Sequence, residues 1–89
     1  MISPDILARY AADAARGVEG VDDLVPSQLH RHRGVRVLDD RIEIHVRVAW
    51  GASIPKAGRE MRQRVADYLR SMANADVTVD VVVDEVVAP

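Results

Sequence analysis

Between residues 42 and 48 the sequence Ile-Glu-Ile-His-Val-Arg-Val alternates apolar and polar side chains without exception. That two-residue period predicts a strand with one buried face. Val35-Arg36-Val37-Leu38 predicts a strand before it, with Asp39-Asp40 as the tight hairpin turn between them. Further along, Val77, Val79, Val81 and Val83 alternate with Thr78, Asp80, Val82 and Asp84, predicting a last strand over 77–84. Two other stretches follow helical spacing. Leu7, Tyr10, Ala11, Ala14 and Ala15 recur at three- and four-residue steps behind a Ser3-Pro4-Asp5 start, so a first helix runs from about 4 to 16 and stops at Gly17. Ile54, Ala57, Met61, Val65, Leu69 and Met72 mark the apolar stripe of a second helix over about 54–73, capped by Ser53 and stopped at Asn74. Val18 to Val21 begins a short extended piece, and residues 22–34 read as loop with some strand character.

This order, α-β-β-β-α-β, predicts one α+β domain over residues 1–89. It has two layers: a mixed sheet of three or four strands with both helices on one face. A crossover through the second helix makes strands 42–48 and 77–84 parallel. The valine and isoleucine face lies under the helices. The opposite face carries Arg36, Glu43, His45, Arg47, Asp80 and Asp84, and meets water or a partner.

Three segments carry a family resemblance: "SPDILARYAADAARGVEGV", "GVRVLDDRIEIHVRVAWGASIPKAGREMRQRVADYLRSM" and "VTVDVVVDEV". Their succession resembles the alkaline shock protein family. The counterparts of its motifs stand at Val18 to Val21, Gly34-Val35, Trp50-Gly51, Ser53-Ile54-Pro55 and Val77 to Val83. The resemblance implies an abundant cytoplasmic protein linked to cell-envelope stress, self-assembling and held near the membrane by a membrane-embedded anchor protein. It implies no catalytic residues and no cofactor. The sequence departs from the family pattern in its arginine- and histidine-rich 22–33 loop, and in lacking an extra leading segment and an acidic tail.

Composition narrows the chemistry. There is no cysteine, which removes disulfides, thiolate zinc sites and thiol nucleophiles. With no Phe, one Trp and two Tyr, aliphatic side chains must fill the core. No apolar run approaches the roughly 18 residues of a membrane span, and Met1-Ile2-Ser3-Pro4-Asp5 is unlike a signal peptide, so a soluble protein without direct membrane insertion is expected. The net charge of −2 argues against a general nucleic-acid binder. Its distribution is uneven: residues 29–70 hold ten basic against five acidic side chains, while the flanks hold two against nine. Basic middles and acidic ends can complement each other within or between molecules.

The candidate chemistry centres on Leu29-His30-Arg31-His32-Arg33-Gly34. Counting back from a two-residue Asp39-Asp40 turn pairs Val37 with Ile42 and Val35 with Ile44, places Gly34 opposite His45, and puts His32 opposite Arg47. His30, His32 and His45 then share the polar face and are weak candidate ligands for zinc or nickel. Arg31, Arg33, Arg36 and Arg47 crowd the same region and disfavour a cation, so a solvated, partner-facing loop is the expected state. Lys56, Arg59, Arg62, Arg64 and Arg70 offer phosphate-binding forks, which makes a nucleic-acid or nucleotide-binding module using these and the 29–36 loop the alternative function. No aromatic stacking residue or Gly-x-x-Gly clamp stands among them. Asp22-Asp23 and Asp39-Asp40 are good turn chemistry, Ser3 and Ser53 are caps, and no nucleophile context surrounds Ser71, so no enzyme is expected. Trp50 either closes the core rim, the favoured reading, or anchors an interface. Val82 on the polar face, and Val86-Val87 as an apolar strand end, offer an edge for a neighbour. The expected function is therefore a non-enzymatic, cytoplasmic scaffold that self-associates and docks on a membrane-linked partner, using Arg31, Arg33, Arg36, Arg47, Trp50, Val82 and Val86.

Overall fold

Helix α1 spans Pro4–Arg16: the Ser3 hydroxyl accepts from the Ile6 amide at 3.2 Å, and Pro4 occupies the first turn, where no amide proton is needed. These details come from a computed structural model, which describes residues 3–26 and 34–87. Strands β1 (Val21–Leu24), β2 (Val35–Leu38) and β3 (Arg41–Ala49) follow, then helix α2 (Ile54–Ala73) and strand β4 (Thr78–Val87). Ser53 caps α2, and Asn74 ends it in the left-handed conformation (φ 50°), with its amide bonded to the Arg70 carbonyl.

The sheet is mixed and organised around β3. β4 runs parallel to β3 along its whole length, while β1 and β2 run antiparallel and share its other edge end to end. β2 pairs with the first half of β3 in the expected register, Leu38 against Arg41 and Val35 against Ile44. β1 pairs with the second half, Leu24 against Val46 and Val21 against Val48. The changeover falls at His45, whose amide donates to the Gly34 carbonyl (2.8 Å) and whose carbonyl accepts from the Val25 amide (2.9 Å). Gly34 needs to be glycine here: φ is +78°, and a Cβ would stand 2.5 Å from that of Leu24.

The core is aliphatic, as a composition without Phe dictates. Ile42, Ile44, Val46 and Val48 of β3 are fully buried under Ala8, Ala11, Ala12 and Ala15 of α1 and Met61, Val65 and Leu69 of α2. The small alanine face of α1 allows that helix to lie close to the sheet. Three expectations need correction. The stripe of α2 is shorter than its periodicity suggests, with Ile54 (41% exposed) and Met72 (52%) projecting past the sheet's cover at the two helix ends. The last strand extends to Val87 rather than stopping at 84. Arg47 is opposed by Asp23, because β1 occupies the slot to which His32 was assigned by extending the hairpin. A second pairing strand competes for that stretch of edge and wins it.

Candidate interaction surfaces

The open face of the sheet is built around His45. Strand alternation aims Glu43, His45 and Arg47 away from the core, and the parallel register brings β4 alongside. Between Val46 and Arg47 that register shifts: Val46 opposes Val83 but Arg47 opposes Glu85, leaving Asp84 as the extra residue of a bulge. The Asp84 carboxylate lies 2.9 Å from His45 Nδ1, and Glu43 Oε1 lies 2.6 Å from Nε2. Carboxylates only accept, so both contacts are hydrogen bonds when the ring is an imidazolium donating from both nitrogens. Burial is the largest single influence on His45 and opposes its charge, but the hydrogen bonds and charges of Glu43 and Asp84 together outweigh it, raising its pKa. The bond from His45 correspondingly lowers the pKa of Glu43, helped by the nearby charges of His45, Arg36 and Arg41.

Two arginines of this face, Arg41 and Arg47, are paired across strands. Arg41 Nε lies 3.4 Å from Asp80, and Arg47 Nε lies 3.4 Å from Glu85 and 3.9 Å from Asp22. These pairs are partly solvated, so each contributes little stability, but together they balance the acids of β4. Val82 sits opposite His45 on this face, half-buried among the charged groups. Arg36 is exposed opposite Glu43.

A second surface lies at the far end of the sheet. An unbroken alternation would turn Val86 to the open face, but the bulge at Asp84 resets the parity. Val86 therefore opposes Val48 and shares the helix-facing side with it. The sheet has by then outrun α2, so Val86 is 46% exposed, next to Trp50 (69%) and Ile54. With Val48, Ala49, Gly51 and Ala52 these side chains line an apolar hollow of about 300 Å³. Trp50 does not close the core rim as expected. Its backbone is fixed by a 2.8 Å bond to the Val87 carbonyl while its ring meets solvent.

The structure thus brings Trp50 and Val86 together and leaves Arg36, Arg47 and Val82 on a different, charged face. His30, His32, Arg31 and Arg33 lie outside the described residues. His45, the remaining candidate metal ligand, has a carboxylate at each ring nitrogen. Two roles were missed from sequence. Asp84 was expected on the open face, but its contact with His45 was not foreseen, since it stands at a bulge that leaves no local signature. Ile54 was assigned to the core, although its place at the first position of a helix, next to Pro55, marks it as a residue with nothing packed above it.

No family model and no curated protein matches the chain. Among solved structures the fold is similar to that of MamM CTD. One variant of that domain aligns with a TM-score of 0.56 at 14% identity, covering 93% of this chain and 98% of that one. A nickel form of another variant aligns with a TM-score of 0.55, again at 14% identity, covering 91% of this chain and 96% of that one. At such identity the likeness establishes a shared α+β fold.

Proposed function

We propose that this protein is a non-enzymatic scaffold of the alkaline shock type, cytoplasmic, self-associating, and recruited to the envelope by docking on a membrane-linked partner. The motif order along the chain supports the family, and no helix among the described residues is long and apolar enough to cross a membrane. The observation that carries self-association is the Trp50–Ile54–Val86 hollow, where three separate elements expose large apolar side chains at one place. A two-fold contact sets a surface against itself. The arginine-bearing face of α2 and the acid-bearing β4 would each oppose like charges in such a contact, whereas the hollow has no charged lining and is self-complementary.

Sedimentation velocity over about 10 µM to 1 mM, the range where weak interfaces are populated, tests this. The wild type is expected to shift from monomer toward dimer with concentration. Trp50→Ser and Val86→Asp should both stay monomeric, with unchanged far-UV circular dichroism. A wild type that remains monomeric throughout that range sinks the proposal.

A further inference from the structure

On the side of β4 away from β3, no strand among the described residues pairs with it. The Thr78 amide donates to the Asp40 carbonyl of the β3 side, so in a parallel ladder Thr78, Asp80 and Val82 direct their peptide groups at β3. Val79, Val81 and Val83 therefore direct theirs outward. Such an edge, unblunted over its first six residues, accepts a further strand.

Beside this edge runs a groove of about 480 Å³ between α2 and the start of β4, whose lining includes three arginines, Arg59, Arg62 and Arg70, one acid, Asp67, and Thr78 and Val79 of the strand. Arg70 has an ion pair with Asp67 at 3.6 Å. Arg59 and Arg62 have no ion pair or hydrogen bond among the described residues. From Arg59 to Arg70 the helix rises about 16 Å, the length of roughly five residues of extended chain.

We propose that the free edge of β4 and the Arg59–Arg62–Arg70 groove form one docking site, for an acidic extended segment of a partner protein that adds to the sheet as a strand. The outward amides and carbonyls of Val79, Val81 and Val83 take the partner's backbone, and the guanidinium groups take carboxylates from every second residue, those turned toward the helix layer. The intervening residues face the side of Asp80 and Asp84, which repels further acids, so the recognised pattern is acid alternating with neutral or basic. A second copy of β4 is a poor occupant, because a two-fold pairing there sets one arginine stripe against the other. Nucleic acid leaves the outward peptide groups unpaired, and the groove has no aromatic ring for a base to stack on. This inference rests on reading the protein as a partner-binding domain and assigns the chemistry of the partner; it is independent of the Trp50 hollow.

The test is fluorescence anisotropy with a labelled nine-residue peptide of glutamate alternating with threonine, its glutamine counterpart, and an oligothymidine. It is run on the wild type and on Trp50→Ser, so that loss of self-association and loss of docking are read separately. The glutamate peptide is expected to bind both proteins alike, more weakly at about 300 mM than at 50 mM salt, and at least about tenfold tighter than the glutamine peptide. Arg59→Gln with Arg62→Gln should weaken it by about tenfold or more. Val81→Pro, which removes an outward amide at a position an edge strand tolerates, should abolish it. Because that variant can unfold, amide exchange on the wild type is the second reading: the peptide should slow exchange at Val79, Val81 and Val83 selectively. No binding at about 1 mM peptide, or protection absent from those three amides, overturns the proposal. So does oligothymidine binding that outcompetes the peptide and ignores Val81→Pro.

Discussion

His45 shows how one side chain ties two non-adjacent parts of the chain together. Its ring is held from one side by Glu43 of its own strand and from the other by Asp84 of β4, at 2.6 and 2.9 Å. The other charges around it are Arg41 and Arg47 of β3, Arg36 of β2, Asp22 and Asp23 of β1, and Asp80 and Glu85 of β4. Because folding raises the pKa of His45 above its ordinary 6.5, the stability it contributes is full below that value and is lost as pH rises through the raised, folded-state value. Glu43 works in the opposite sense: lowered from 4.5, it contributes above that value and is lost as pH falls through its folded-state value. The clasp is thus complete between about 4.5 and 6.5 and weakens on both sides. Urea unfolding from pH 5 to 9 should show a fall in midpoint on the alkaline side for the wild type and a flatter profile for His45→Gln. Identical profiles, or an imidazole resonance titrating at or below 6.5, would falsify the clasp.

At the scale of elements, helix α2 divides into a part that holds the fold and two ends that do not. Leu69 is fully buried in the hydrophobic core, whereas Met72, three residues on, is half-exposed. Leu69→Ala should cost about 3 kcal/mol, the transfer term plus the cavity it leaves, while Met72→Ala should fall within about 0.5 kcal/mol of wild type. Chemical denaturation measures both, and equal losses would mean that the stripe is continuous after all. The two positions look alike in sequence, since periodicity reports which face a residue is on and not how far the sheet beneath extends. Helix limits were legible for the same reason in reverse. Ser3, Gly17, Ser53 and Asn74 act within one turn of themselves, so the expected bounds 4–16 and 54–73 coincide with those found. The hairpin register followed from the two-residue turn at Asp39-Asp40. What could not be read were pairings set by distant segments: β1 taking the edge beside Arg47, and the bulge that turns Val86 toward Trp50 and sets Glu85 rather than Asp84 opposite Arg47.

At the scale of the whole molecule, these surfaces sort by charge and by position. The apolar hollow sits at the end of the sheet where β3 and β4 finish, the arginine groove at the end where β4 begins, and the clasp on the face away from the helices. The parallel pairing of β3 and β4 enforces this separation, because it puts both strand ends, and hence Trp50 and Val86, at one pole and Thr78 at the other. A copy docked on the hollow therefore leaves the groove and the free edge of β4 open, and a scaffold could hold its neighbour and its partner at once. The uneven charge along the chain reinforces the division: the net-basic segment contributes the arginine stripe, and the net-acidic end contributes β4. Self-association through an uncharged hollow should hardly respond to salt, whereas strand docking against arginines should weaken with it. The two should also be separable by substitution. Arg59→Gln with Arg62→Gln should leave the dimer dissociation constant within about twofold of wild type, since neither arginine lines the hollow or shares a partner with it. Sedimentation of that variant at low and high salt gives the answer, and a dimer that disappears with the arginines would place both activities on a single surface and dissolve the two-pole arrangement.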